Sequence, residues 1–227
     1  QTHNEKLYDE LMKPIADQDP SIVNQTEEEL GEIKEKELKD ACAVFGVNDV
    51  RILGFPQPFR VNQFPDAIDK IAEVILDVRP HVLIMQSPYS RAHQSRAGVT
   101  ADDHTETALA TLEARGEAGR PRPGVKPHTI ATTLFPGVYF EKNDLDFIVD
   151  VSDWFEQRVE AEAFYESQGH TEEWSRRRML VMLGYPGWFS GTLYAEGFVR
   201  ERPELVGEIP MSELSLSKAT ETVQSKH

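Results

Sequence analysis

The sequence predicts an α/β protein with a mostly parallel sheet and helices on both faces. Two apolar runs, VRILGF at residues 50–55 and VLIM at residues 82–85, have the length and composition of buried strands. Each run lies between segments with the periodicity of amphipathic helices. This alternation leaves connections that suit right-handed crossovers between parallel strands.

The remaining segments extend the pattern into one domain and a tail. Five helices are predicted from apolar spacing and capping residues, at 26–46, 66–79, 102–115, 153–168 and 171–184. Later strands are predicted at residues 129–134 and 147–151. Four aromatic residues are predicted in the core: Trp188, Phe189, Tyr194 and Phe198. Because 227 residues suffice for one core, a single domain is predicted over residues 1–200, with a polar C-terminal tail over 201–227.

The central stretch joins the second apolar run to a helix that begins with two acids and a histidine. A long polar loop separates Met85 from Asp102, Asp103 and His104. The helix is indicated by residues at i, i+3, i+4 and i+7, which are Thr105, Ala108, Leu109 and Leu112. The cluster is therefore predicted just past the carboxyl end of a strand, where open α/β sheets bind their ligands.

Two interpretations of this cluster stay open from the residues alone. Asp102 as an N-cap and Asp103 as a first-turn acid would serve only to stabilise the helix. The same acids beside His104 are also suited to binding a ligand. Zinc needs three or four ligands, and this triplet supplies two or three. Spacing alone favours the capping interpretation.

Composition restricts the partners. The net charge is −15, from 39 acidic and 24 basic residues, which argues against nucleic acid because its binding proteins carry a basic footprint. No apolar run has the length of a membrane span, and no signal peptide is visible. The single cysteine, Cys42, has no partner for an internal disulfide. We therefore expect a cytoplasmic protein without a membrane span, and a homo-oligomer stays an open alternative.

Several motifs together resemble the LmbE-like/PIG-L family of zinc-dependent N-acetylglucosaminyl deacetylases. They occur in the family's order over about residues 26–200, as KEKELKDACAVFGV, VRILGF, RPHVLIMQSP, DDHTETALATLEA, FIVDVSDWFEQRVEAEAFYESQ and YAEGF. The resemblance implies a Rossmann-like domain with zinc at the carboxyl ends of the strands. It implies acetamide hydrolysis, because zinc makes bound water more acidic and polarises a carbonyl. The implied substrate is a small-molecule N-acetyl amino sugar conjugate.

The resemblance also implies roles for single residues. His104 matches a zinc ligand, and Asp103 matches the adjacent acid that orients a neighbouring group. Ala101 stands where the family has a further histidine. His93, in the loop after the central strand, is a candidate to take over that catalytic role.

Two positions match residues of the family that bind the sugar. Lys34 replaces an arginine and keeps its charge without the planar fork. Gln57 stands where many members have an aspartate that contacts the substrate. Both residues are predicted to bind substrate.

The family's AHPDDE segment, which supplies two zinc ligands and the general base, does not occur in the 227 residues. We therefore expect the family's first strand–helix unit, about 40 residues, to be lacking, and zinc binding by this chain to be weak or absent. A strand edge left open in this way would favour association.

Two explanations of the missing segment stay open: either the chain is a fragment or the protein has diverged. Two functions follow: a metal-dependent hydrolase of N-acetylated amino sugars or their conjugates, or a catalytically silent relative that binds a sugar or serves in an assembly.

Overall fold

A computed structural model describes residues 4–56, 59–88, 103–137 and 140–220. The α-helices in these ranges are α1 Glu5–Leu11, α2 Pro20–Val23, α3 Glu27–Ala43, α4 Asp66–Val78, α5 Asp103–Gly119, α6 Phe155–Ala163, α7 Glu172–Ser190 and α8 Glu213–Thr220. The strands are β1 Val82–Ile84, β2 Thr132–Pro136, β3 Phe147–Asp150 and β4 Ala195–Arg200. Short 3-10 helices occur at Ile15–Asp17, Lys142–Asp144, Ser152–Trp154 and Glu166–Gln168. None of the helices described is long and apolar enough to span a membrane.

The four strands form one sheet in the order β1-β2-β4-β3. β1 and β2 are parallel, whereas β4 is antiparallel to both β2 and β3. Three of the four described strands therefore run in one direction, and the predicted α/β class is confirmed. β4 is antiparallel because α6 and α7 return the chain to the end of β3, where Ala195 lies opposite Asp150.

The predicted strand at residues 50–55 is wrong, because this segment has no regular secondary structure. A strand requires backbone hydrogen bonds to a neighbour, and none of the described strands pairs with it. Side chains hold the segment instead. Arg51 contacts Asp49 at 2.8 Å and Asp77 of α4 at 2.7 Å, and Phe55 packs on Phe64 with ring centroids 5.7 Å apart.

Small side chains form the contact between α4 and α5. Ala110, Ala114 and Ala118 of α5 are buried at helical spacing. Ala72 of α4 packs with Ala114 and Ala118, and Ala67 of α4 packs with Ala110. Side chains of this size let two helices approach closely. The alanines therefore define the buried face of α5. The prediction that Leu109 belongs to this face is wrong, since its side chain is 46% exposed.

Helices cover both faces of the sheet. Leu83, Phe135 and Val199 lie on the face that packs against Ala108 of α5. The opposite face of β4, which carries Phe198, lies toward α7. The prediction that all four C-terminal aromatic residues lie in the core is wrong for Trp188, which is 78% exposed. Its position on α7 points it away from the sheet.

β1 is one of the two edge strands among the described residues, and it exposes apolar side chains. Val82 is 48% exposed and Ile84 is 57% exposed. Beyond β4, the segment predicted as a polar tail contains α8, whose Lys218 Nζ donates a hydrogen bond to the Gly191 carbonyl at 2.6 Å. The domain boundary at residue 200 stays a prediction.

Two glycines of α7 provide a matched test of its close contact with the chain before β4. A Cβ added at Gly187 would lie 2.9 Å from the Tyr194 nitrogen and closer still to the Leu193 carbonyl, whereas a Cβ at Gly184 would meet no atom within 4 Å. We expect Gly187→Ala to lower the free energy of unfolding by about 1–3 kcal/mol. Gly184→Ala should raise it by up to about 1 kcal/mol, because alanine favours a helix. Chemical denaturation measures both, and equal effects would contradict the close approach.

Candidate functional site

The first turn of α5 places the predicted acid and histidine at the carboxyl end of β1. Asp103 and His104 are half-buried there. Met85, directly after β1, packs against Ala108 one turn further along α5. The Glu106 carboxylate accepts a hydrogen bond from the Val61 backbone nitrogen at 3.1 Å. The start of α5 is therefore tied both to the sheet and to the loop before α4.

The remaining predicted residues divide into two groups. His93, Gln57, Ala101 and Asp102 lie outside the described residues. Lys34 lies on α3, which packs against α6 and the 3-10 helix at Glu166–Gln168, whereas α5 packs against α4 and the sheet. The structure thus keeps Asp103 and His104 together and places Lys34 in a different layer. The predicted roles of all these residues stay predictions.

A zinc site is not complete within the described part of the chain. No three of its histidine, cysteine, aspartate or glutamate side chains come together in a way that would hold a metal ion. Asp103 and His104 offer two donor groups, and a tetrahedral zinc needs three or four. The described residues therefore do not fit the ion by themselves.

A buried carboxylate joins α3 to the C-terminal half of the chain. Glu37, 8% exposed, accepts hydrogen bonds from the Ser167 backbone nitrogen at 2.7 Å and from the Ser167 hydroxyl at 2.6 Å. The two residues are 130 positions apart in the sequence. Hydrogen bonds to a charged acceptor in a buried site are among the stronger ones in proteins. This contact fixes α3 against the Glu166–Gln168 turn.

Lys34 lies one turn before Glu37 and is also buried, with 9% exposure. Burial lowers the pKa of its ammonium group, and the charge of Glu37 opposes that shift. A buried cation beside a buried carboxylate is stabilised by that neighbour. Because Lys34 is buried, a substrate can contact it as predicted only through a group that enters the protein interior beside α3.

A second buried carboxylate collects three basic side chains. Glu162 of α6 is 7% exposed and lies 3.4 Å from Arg158, 3.3 Å from Arg178 and 3.4 Å from His170. The Trp174 ring stacks on His170 with centroids 4.0 Å apart. Basic side chains from α6, α7 and the turn between them thus converge on one carboxylate.

Neither carboxylate network was predicted from the sequence. Glu37 and Ser167 both lie inside motifs that carry the family resemblance, KEKELKD and FYESQ. Their positions in two motifs of the same family were the only feature of the sequence that could have indicated a contact between them. No periodicity or spacing links two residues so distant in sequence, so only the tertiary structure brings them together.

The fold and these clusters together define a class of protein, an α/β protein with ionisable side chains at the carboxyl end of a strand. Comparison with known proteins gives the family. Residues 3–115 match the family model described as PIG-L: GlcNAc-PI de-N-acetylase. This match over residues 3–115 confirms the resemblance that the motifs predicted.

Two curated relatives have similar sequences. The Bacillus cereus protein named probable N-acetyl-alpha-D-glucosaminyl L-malate deacetylase 2 is 28% identical over 145 residues, which cover 62% of this chain and 60% of that protein. The 1D-myo-inositol 2-acetamido-2-deoxy-alpha-D-glucopyranoside deacetylase of Thermomonospora curvata is 29% identical over 120 residues, covering 45% of this chain and 38% of that one. The chain therefore spans less than two thirds of either relative.

Solved structures show the same fold. The conserved protein TT1542 from Thermus thermophilus is 27% identical with a TM-score of 0.63, covering 80% of this chain and 78% of its own. The 4-carboxy-2-hydroxymuconate hydratase GalB from Pseudomonas putida has a TM-score of 0.66 at 17% identity, covering 89% and 81%. The N,N'-diacetylchitobiose deacetylase from Pyrococcus horikoshii has a TM-score of 0.56 at 18% identity, covering 76% and 64%. The last two likenesses concern the fold alone.

The contact between Glu37 and Ser167 is testable by a double-mutant cycle. We expect Ser167→Ala to lower the free energy of unfolding by about 1.5–3 kcal/mol, because the buried carboxylate loses a donor. Glu37→Gln should be destabilising too, and the double variant should lose less than the sum of the two. Glu35→Gln, an exposed position on the same helix, serves as the control. Strictly additive losses in urea denaturation would contradict a direct contact.

The burial of His170 gives a pH dependence. Burial lowers the pKa of His170, and Glu162 opposes this shift. As pH falls through about 6.5, the unfolded chain therefore takes up a proton more readily at this position than the folded protein does. The contribution of His170 to stability is full above that pH and is lost below it. We expect His170→Gln to weaken the loss of stability between about pH 7.5 and pH 5.5, measured by urea denaturation.

A His81→Gln variant controls for removing a histidine at an exposed position. An unchanged pH dependence in His170→Gln would show that other groups cause the acid sensitivity.

Proposed function

We propose that this protein removes an acetyl group from an N-acetylated glucosamine conjugate by hydrolysing its acetamide. The family match over residues 3–115 carries this proposal, since it includes Lys34 on α3 and the Asp103–His104 pair on α5. The names of the two curated relatives support it, because both are deacetylases of N-acetylglucosamine conjugates. The proposed partner is thus a small N-acetyl amino sugar conjugate.

The proposed reaction adds a water oxygen to the acetyl carbonyl carbon and breaks the C–N bond. The amine nitrogen leaves with a proton, and acetate is the second product. Positioned acids and bases accelerate such proton transfers by about 10²–10⁴-fold. Asp103 can accept a proton or orient a neighbour, and the His104 imidazole can bind a metal ion. His93 stays the proposed group for protonating the amine.

We include zinc dependence in the proposal, whereas the described residues by themselves do not form a zinc site. A bound zinc would supply a more acidic water and a polarised carbonyl. Because the described residues do not complete a zinc site, we assign no step of the reaction to the ion. His104 stays the residue proposed to bind it.

A catalytically silent relative that binds a sugar or serves in an assembly is the second proposal. The observation that favours it is Ala101, which stands where the family resemblance expects a histidine. A shared fold does not decide the question, because one fold supports many reactions. The cytoplasmic setting and a homo-oligomer also stay proposals.

Substitutions at positions 104 and 101 separate the two functions. With the family's AHPDDE segment joined ahead of the chain and zinc added, we expect slow release of the free amine from N-acetylglucosaminyl malate. His104→Ala should lose both bound zinc and activity, because a metal ligand is removed. Ala101→His should raise the rate by about 10–100-fold without changing the zinc content, since it supplies a proton donor. Amine release and elemental analysis measure the two quantities.

His81→Ala, at an exposed position outside the proposed site, is the matched control and should leave both quantities unchanged. If neither the natural protein nor Ala101→His releases amine, the silent binding protein is the better proposal. If His93→Ala abolishes turnover while Ala101→His changes nothing, His93 carries the acid role.

A further inference from the structure

A cavity of about 420 Å³ lies between α7 and the sheet, and the predicted site residues that the structure describes, Lys34, Asp103 and His104, do not line it. Its apolar walls include Leu145, Met182, Phe189 and Phe198. Cavities of this size with mostly apolar walls and a few polar groups are typical of small-molecule sites. The cavity therefore has the size and lining of a ligand site, and the deacetylase proposal assigns it no role.

The cavity lies near the functional end of the sheet. Pro136 and Gly137, at the carboxyl end of β2, line it. Phe140 also lines it and packs in the same cluster as Met85 and Ala108, which flank the candidate site. Open α/β sheets bind ligands at the carboxyl ends of their strands, so this location fits a ligand site.

A cation stands at the rim of the cavity. Lys142 is exposed, and its Nζ lies 4.7 Å from the centre of the Phe189 ring. Among the described residues, no carboxylate lies within ion-pair distance of it. The chain as a whole carries a net charge of −15. Glu141 and Asp144 lie beside Lys142 in the sequence, but neither is paired with it, so its ammonium group is open to a ligand anion at the rim.

A second basic group lines the cavity wall. Arg158 lies 3.4 Å from Glu162 and 3.8 Å from Glu196, both longer than a close ion pair. These carboxylates oppose its charge, and Glu196 also lines the cavity, so Lys142, which has no ion pair within the described ranges, is the basic group that a ligand anion would meet at the rim. The cavity thus combines an apolar interior with one cation at its mouth.

We propose that this cavity binds an amphipathic carboxylate, with the apolar part of the ligand between Leu145, Met182 and Phe189 and the carboxylate beside Lys142. An apolar chain gains free energy in proportion to the area that it removes from water. The carboxylate stays at the rim, where it keeps part of its hydration and contacts the ammonium group. A cationic ligand of the same shape would place its charge against Lys142 and is disfavoured.

The test uses a pair of ligands that differ only in charge. Displacement of the fluorescent anion 1-anilinonaphthalene-8-sulfonate reports binding of octanoate and of octylamine to the full chain. We expect octanoate to displace it at one site per chain and octylamine to bind at least about fivefold more weakly, as expected for one exposed charge contact. Since no turnover is measured, the outcome is independent of the deacetylase proposal.

Two substitutions locate the site. Lys142→Glu should weaken octanoate binding about fivefold and improve octylamine binding, whereas Lys126→Glu, an exposed lysine outside the cavity, makes the same change in net charge and should do neither. Met182→Trp should fill the cavity and remove binding of both ligands, with circular dichroism showing that the variant is folded.

Equal binding of octanoate and octylamine, or equal effects of Lys142→Glu and Lys126→Glu, would overturn the proposal. Octanoate binding that survives in a folded Met182→Trp variant would overturn it as well. Lys142 is exposed, so the charge-reversal test does not depend on whether Met182→Trp folds.

Discussion

The contact between Glu37 and Ser167 is the constraint on which the relation between the two halves of the chain depends. Glu37 lies within the segment that matches the PIG-L family, and Ser167 lies beyond it. A buried carboxylate that accepts two hydrogen bonds from one residue fixes both distance and orientation, since losing either donor leaves one buried oxygen without that hydrogen bond. The Glu162 cluster adds a second set of charged contacts between α6 and α7.

The candidate site depends on a different feature, the close packing of α4 and α5. The alanines at 110, 114 and 118 set how near α5 lies to α4, and Ala108 sets how it meets the sheet. These contacts decide where the first turn of α5, and with it Asp103 and His104, stands relative to β1. The hydrogen bond between Val61 and Glu106 then holds that turn from its other side.

The two ligand proposals concern opposite faces of one sheet. The deacetylase proposal involves the α5 face, and the cavity for an amphipathic carboxylate lies on the α7 face. Phe140 connects them, since it lines the cavity and packs beside the start of α5. β4 contributes to the cavity on the α7 face, because its Glu196–Phe198 segment forms part of the cavity wall. Val82 and Ile84 are exposed on the edge strand β1.

The sequence by itself determined the α/β class, the five longest described helices near their observed positions, the family resemblance, and the placement of Asp103 and His104 at a helix start after a strand. These features follow from local periodicity, capping and motif order, which neighbouring residues carry. Only the tertiary structure decided that residues 50–55 are not a strand, that β4 is antiparallel, and that Leu109 and Trp188 are exposed. It also decided the pairing of Glu37 with Ser167 and the cavity beside α7, because pairing, exposure and enclosed space arise between segments that are distant in the chain.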